Sequence, residues 1–307
     1  MAEVQKHIAW IAVDWGTSNL RIWAMGADDQ VLAEAASDAG MGTLERGAFE
    51  AALLDLVDPY LRDTQVMPVV CCGMVGSRQG WAEAPYLSVP CKVPTGAEAT
   101  RVASTDARID VHILPGIKQV KRPDVMRGEE TQIAGFLKYN PGFDGILCMP
   151  GTHTKWVHIS AEEVVSFQTC MTGEIFALLS GKSVLRHTVA GDGFDPVAFG
   201  EAVGDAMSRP QTLASDLFAL RAGALVADLG QPAARARLSG LLIGAELAAT
   251  RAYWLGQSVV ILGDDKLARL YHDGLAAQGV AATIADVCEI TLAGLCAAHA
   301  AIKETAQ

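Results

Sequence analysis

The sequence predicts an α/β protein of two related lobes, each a mixed sheet with flanking helices. Three observations carry this expectation. The chain has 307 residues, more than one hydrophobic core usually serves. Apolar runs of strand length alternate with stretches of helical periodicity in both halves. One local pattern, an apolar strand leading into a Gly-Thr turn and then two further strands, occurs twice, at GTSNLRIW (16–23) and GTHTKWVHI (151–159).

In order, HIAWIAVD, NLRIWAM and QVLAEAAS read as strands joined by the short turns WGTS and GADD, so an antiparallel meander is expected. RGAFEAALLDLVDPYL has helical spacing and stops near Pro59, and PVVCCGMVG is a buried strand running into glycines. The second half repeats the start: DGILCMP, KWVHIS and EEVVSFQTCM are strands around the turn GTHT. Helices are expected at TGEIFALLSGKSVL, along an Ala-rich stretch near 194–229, at RLSGLLIGAELAATRAYW and at ADVCEITLAGLCAAHAAIKE. QSVVILGDD is one more strand, ending in glycine and acids. The lobes divide at YNPGFDG, giving 1–140 and 141–307.

Half of the residues are hydrophobic and 19% charged, which suits a folded interior. A net charge of -11 opposes binding to nucleic acid or anionic lipid, while leaving room for a small anion in a local basic pocket. The opening MAEVQKHIAW shows no basic segment leading into a long apolar core, and no run reaches the ~18 apolar residues of a membrane span. A cytoplasmic protein is expected. Seven cysteines without a CxxC pair argue for reduced thiols rather than a disulfide framework or zinc knuckle.

A hairpin tipped with glycine and hydroxyl residues can surround phosphate oxygens, because glycine admits a close backbone approach. Gly16, Thr17, Ser18 and Asn19 form one such tip; Gly151, Thr152, His153, Thr154 and Lys155 form the other. Two of them facing each other across a cleft would clasp a polyphosphate. Only the first strand ends in an acid, Asp14, where the second has Met149. Mg²⁺ on a triphosphate uses one or two carboxylates with waters, so Asp14 is the candidate metal residue. The bland reading of these positions is ordinary turn chemistry.

DWGTSN at 14–19 and PGTHTKW at 150–156 resemble the two phosphate motifs of the sugar-kinase, heat-shock-70 and actin superfamily. VVILGDD, with Gly263, is similar to its adenosine motif, although the acids Asp264 and Asp265 depart from the small residues found there. DWGTSNLRIW, GMVGSRQGWAEAPY, MRGEETQIAGFL, MPGTHTKW and SGLLIGAEL together resemble the 2-dehydro-3-deoxygalactonokinase family over nearly the full length. The resemblance implies two ribonuclease-H-like (actin-like ATPase) lobes around a nucleotide cleft, and ATP with Mg²⁺ as cofactors. It further implies transfer of phosphate to the terminal (C6) hydroxyl of 2-dehydro-3-deoxy-D-galactonate.

A kinase of this type needs a carboxylate to accept the hydroxyl proton. Related sugar kinases have Gly-Asp there, the Asp being the base. The resemblance therefore points to Glu129 after Gly128, with its neighbour Glu130 left open. Acids also favour a helix's first turn through the backbone dipole alone. The substrate carboxylate suits a guanidinium, for which Arg78 and Arg127 are candidates, and Trp81 and Tyr86 could wall the pocket or pack in the core. His153 reads as a hydrogen-bond donor rather than a catalytic acid. Two rivals stand beside the kinase: an exopolyphosphatase-like phosphohydrolase, and a non-catalytic nucleotide-driven clamp. The partners expected are ATP and a small sugar acid, with a homodimer open.

Overall fold

The computed structural model of the chain describes residues 7–305, so the first residues of the opening segment lie outside it. In chain order come β1 Ile8–Trp15, β2 Leu20–Gly26, β3 Val31–Ser37, α1 Phe49–Val57, β4 Met67–Gly73, β5 Tyr86–Ser88 and β6 Cys91–Lys92. Next are β7 Thr100–Val102, β8 Ile109–Ile113, β9 Gly116–Gln119, β10 Asp124–Met126, α2 Glu129–Tyr139, β11 Gly145–Met149, β12 Thr154–Ser160 and β13 Glu163–Cys170. The remainder is α3 Thr172–Lys182, α4 Pro196–Ser208, α5 Leu213–Val226, α6 Gln231–Ala249, α7 Arg251–Trp254, β14 Val259–Leu262, α8 Asp265–Ala276, β15 Thr283–Ala285 and α9 Val287–Thr305.

The described chain forms two compact units. The first takes the residues up to Phe143, the short piece Ala161–Val164 and α9. Its main sheet is ordered β3-β2-β1-β4-β8-β7. The predicted meander is present: β1 pairs antiparallel with β2 and β2 with β3, while β4 lies parallel to β1 and β8 to β4. β1 sits at the centre, with Trp10, Ile11, Ala12 and Val13 wholly buried, which is why it reads as an unbroken apolar run. One face packs on α1 through Phe49, Leu53 and Val57. The other carries Trp10, Ala12, Met25 and Val70 and is covered by Leu295, Cys296 and Ala298 of α9. Trp10 also stacks on His299, ring centroids 4.1 Å apart. The terminal helix, expected with the second half, thus completes the core of the first unit, because its apolar stripe is what that sheet face lacks.

A small sheet, β10-β9-β5, also belongs to this unit. Its strands are three or four residues long, too short to show a period in the sequence.

The second unit repeats the plan. Its strands run β15-β14-β11-β12-β13, with β11 antiparallel to β12 and β14 and β15 parallel to β11 and β14 in turn. Both units therefore share the ribonuclease-H-like order of a three-strand meander continued by parallel strands. Phe199 and Val203 of α4, Ile243 and Leu247 of α6, and Tyr271 of α8 pack on Ile146, Cys148, Trp156 and Ile261. The Ala-rich stretch is two helices, α4 and α5, parted around Pro210. No described helix is long and apolar enough to cross a membrane.

Candidate active site

In the first unit, β1 hands over to β2 through a tip closed by the Gly16 N–H donating to the Asn19 carbonyl at 2.9 Å. The segment 40–43 buttresses it: the Met41 N–H donates to the Gly16 carbonyl (3.0 Å) and the Gly42 N–H to that of Thr17 (2.8 Å). Thr17, Ser18 and Asn19 are exposed, and their side chains have no hydrogen-bond partner among the described residues. The tip is fixed from behind and leaves its polar side chains outward.

Asp14 is the strand-end carboxylate just before this tip. Register places it opposite Arg21 on β2 and Cys72 on β4. The Cys72 thiol donates to its Oδ1 at 3.8 Å, and among the described residues no cation forms an ion pair with it. Burial pushes the Asp14 carboxyl up from its ordinary value, against the opposing pull of Arg21 and the Cys72 thiol, and the charge of Glu129 pushes it further. A half-buried, hard oxygen donor without a cation fits Mg²⁺, which needs one or two protein carboxylates beside phosphate and water oxygens. Among the described residues no cluster of three or more His, Cys, Asp or Glu side chains could hold a metal; a Mg²⁺ site of this sparse type does not require one.

Glu129 and Glu130 reach Asp14's neighbourhood because two glycines let three elements converge. Gly73 ends β4 at φ 90°, and a Cβ there would lie 2.6 Å from the Trp15 carbonyl oxygen. Gly128, at φ 104°, enters α2 with its would-be Cβ 3.3 Å from the Gly73 Cα. Only glycine combines that backbone with that closeness.

The two acids then part. Glu129 is half-buried and its Oε2 accepts the Arg127 N–H at 3.0 Å. Glu130 is 1% exposed, and both its oxygens accept the Gly128 N–H, at 2.9 and 2.7 Å. Burial first, and the charge of Glu129 second, push Glu130 up to about 8, against the backbone hydrogen bonds that favour its anion.

The two candidate arginines also differ. Arg78 is exposed and lies 3.9 Å from Glu83. Arg127 is buried: its Nε donates to the Tyr86 hydroxyl (3.3 Å), its other nitrogens to the carbonyls of Leu114 (3.4 Å) and Ala84 (2.8 Å), and it lies 4.2 Å over the Tyr86 ring. Three of its five N–H donors are spent on neutral acceptors, and among the described residues no carboxylate forms an ion pair with it. Trp81 packs edge-on against Trp15 at 6.3 Å, joining the core behind Asp14.

The second unit holds the other hairpin. Thr152 and His153 are exposed and Gly151 half-buried, whereas Thr154 and Lys155 are buried. The start of α3 abuts this tip: the Glu174 N–H donates to the Thr152 carbonyl (2.9 Å), and the Glu174 carboxylate meets His153 Nε2 at 2.6 Å. Lys155 Nζ donates to the His153 carbonyl at 3.1 Å, which brings a cation to the tip. The Thr154 hydroxyl instead turns inward to the Tyr271 hydroxyl at 2.8 Å. Met149, in Asp14's place, is buried beside this strand end. Gly263 follows β14 against Pro150, and Asp264 accepts the Lys266 N–H at 3.1 Å, so that acid caps α8.

One carboxylate escaped the sequence reading. Glu246 of α6, 4% exposed, accepts Trp156 Nε1–H at 2.7 Å and the Tyr271 hydroxyl at 2.8 Å. Its signal was available as a lone acid in the apolar helix LSGLLIGAELAA.

A family model described as 2-keto-3-deoxy-galactonokinase matches residues 14–298. A Rhizobium meliloti (strain 1021) protein named as a probable 2-dehydro-3-deoxygalactonokinase is 40% identical over 303 residues, covering 95% of this chain and 97% of its own. The 2-dehydro-3-deoxygalactonokinase of Escherichia coli (strain K12) is 36% identical over 307 residues, covering 97% of each. The crystal structure of a Sinorhizobium meliloti protein described as a putative 2-dehydro-3-deoxygalactonokinase superposes with a TM-score of 0.88 at 39% identity, covering 95% of this chain and 99% of that one. With the family model spanning residues 14–298 and two relatives at 40% and 36% identity covering 95% and 97% of its length, the chain belongs to the 2-keto-3-deoxy-galactonokinase family.

Proposed function

We propose that the chain is an ATP-dependent kinase transferring the γ-phosphoryl group to the terminal C6 hydroxyl of 2-dehydro-3-deoxy-D-galactonate. Family membership supports the reaction class. The observation that carries the site is the convergence of β1, β4 and the entry of α2: Asp14 stands opposite Cys72, and a Cβ on Gly128 would lie 3.3 Å from the Cα of the next residue, Gly73. In this reading Thr17, Ser18 and Asn19 at one tip, and Gly151, Thr152, His153 and Lys155 at the other, hold phosphate oxygens, while Gly263 borders adenosine. Asp14 is the residue that would hold Mg²⁺, which when bound neutralises charge on the phosphate oxygens.

Glu129 accepts the hydroxyl proton as the new oxygen–phosphorus bond forms and the bond to ADP breaks. Its half-exposed carboxylate suits that task; Glu130, sealed and doubly bonded to Gly128, orients the helix start instead. Glutamate is longer than aspartate by one methylene, so for this role its backbone would need to sit about 1 Å further back than that of a Gly-Asp base. Arg127 provides a fixed positive charge that no carboxylate pairs among the described residues, and Arg78, exposed at the surface, provides the grip on the substrate carboxylate. Trp81 supports that pocket from the core.

We place the enzyme in the cytoplasm, consistent with cysteines that are all free among the described residues. A homodimer is the assembly favoured, since Phe218, Leu225 and Val226 of α5 stand exposed. Coupled ADP release over a panel of 2-keto-3-deoxy aldonates tests the function. ADP should appear with the galactonate derivative and fall to background without an acceptor; equal release without any acceptor would favour a phosphohydrolase.

A further inference from the structure

The buried groups under the second hairpin form one chain of hydrogen bonds that the proposed chemistry does not use. Glu246 lies at its centre. Besides Trp156 Nε1–H of β12 and the Tyr271 hydroxyl of α8, it accepts the hydroxyl of Thr172, the first residue of α3. Tyr271 in turn meets the Thr154 hydroxyl, directly after the tip. Burial pushes Glu246 up from its ordinary value, and these three hydrogen bonds oppose that push.

The direction of the chain follows from the chemistry of the groups. Indole N–H can only donate, so one oxygen of Glu246 is an acceptor. With Glu246 ionised, Tyr271 donates to its other oxygen, and the proton shared between Tyr271 and Thr154 then comes from Thr154. The carboxylate therefore draws the Thr154 hydroxyl inward and fixes the last residue of the hairpin. Through Thr172 it also fixes the start of α3, whose Glu174 N–H holds the Thr152 carbonyl and whose Glu174 carboxylate holds His153. Four elements, β12, α3, α6 and α8, are tied to one buried carboxyl group from which both sides of the tip are held.

We propose that Glu246 is a positioning residue for nucleotide phosphate: acting through Tyr271–Thr154 on one side and Thr172 on the other, it sets the geometry of the Gly151–Thr154 tip. This rests on the reading of that tip as a phosphate grip. The carboxylate touches no substrate; its effect is to keep the tip pre-organised, so that binding does not have to order it.

The test is steady-state ADP release by the full chain, with ATP varied at saturating sugar acid and the sugar acid varied at saturating ATP. Three variants are compared: Glu246→Gln, Tyr271→Phe and Gly151→Ala. Tyr271→Phe keeps the buried ring and removes the hydroxyl that joins Glu246 to Thr154, so it serves if Glu246→Gln does not fold. A Cβ at Gly151 meets no protein atom within 4 Å, so that variant perturbs a bound phosphate rather than the fold. The expected result is a KM for ATP raised about tenfold in Tyr271→Phe and in folded Glu246→Gln, with the KM for the sugar acid within about twofold of wild type. If Gly151→Ala raises the KM for ATP while Tyr271→Phe does not, the positioning role is overturned and the grip stands. If Gly151→Ala leaves it unchanged, the grip itself is overturned. Equal rises in both KM values for Tyr271→Phe, with a lower melting temperature, would show general loosening and also overturn the role.

Discussion

Glu129 and Glu130 are neighbours in sequence and opposites in surroundings, one half-exposed and one sealed. Glu129→Gln should lower kcat by roughly 10²–10⁴-fold, the range of a lost general base, while leaving the KM for ATP close to wild type; Glu130→Gln should keep most of the activity. Steady-state kinetics on both variants checks this. Glu130 also governs pH dependence. Its carboxyl rises from 4.5 to about 8 in the folded chain, so between those values the folded state holds a proton that the unfolded state has lost. Its contribution to stability is then full below the lower value and is lost as pH climbs to the upper one, at about 1.4 kcal/mol per pH unit. Asp14, also raised, acts with the same sign. Urea titrations from about pH 5 to about pH 9 should show the decline in wild type and a flatter profile in Glu130→Gln. A profile for Glu130→Gln as steep as wild type would refute the assignment. The sequence put both acids after Gly128 but could not rank them, because their burial is set by which way the first turn of α2 faces the end of β4, a tertiary fact.

At the scale of elements, the duplicated hairpin was legible because each copy has an unbroken buried strand before a Gly-Thr turn, and buried central strands leave that mark in any sequence. The meander, α1 and β4 were legible on the same ground. The convergence of β1, β4 and α2 was not: it depends on Gly73 and Gly128 at positive φ, and a chain with 30 glycines does not say which ones are so placed. Gly73→Ala should cost on the order of 3 kcal/mol, from the strained backbone and a Cβ pressed on the Trp15 carbonyl. It should lower activity as well, by moving Asp14's strand end. Denaturant melts and kinetics on the purified variant measure both; an alanine variant as stable as wild type would mean the strand ends are more pliable than the geometry implies. Glu246 went unread because a single acid in an apolar helix signals a buried partner without naming it, and Trp156, Tyr271 and Thr172 lie on three other elements.

For the whole molecule, the acidic balance set aside nucleic acid and anionic lipid early and left a small anion in a local basic pocket open. Why α9 belongs to the first unit was hidden, since an apolar helix does not declare which sheet face it covers; Leu295, Cys296 and Ala298 show the match only once Trp10, Met25 and Val70 are seen to need it. The substrate carboxylate adds a prediction of its own. Arg78→Ala should raise the KM for the sugar acid about tenfold while shifting stability by less than about 0.5 kcal/mol, as expected of an exposed side chain. An unchanged KM would leave the role to Arg127. Asp14 remains the hinge of the whole reading, and the direct measurement is ADP release by Asp14→Asn at saturating ATP, Mg²⁺ and 2-dehydro-3-deoxy-D-galactonate, alongside its melting curve. The expected result is turnover reduced at least about a thousandfold with the fold intact. Turnover near that of wild type would contradict it.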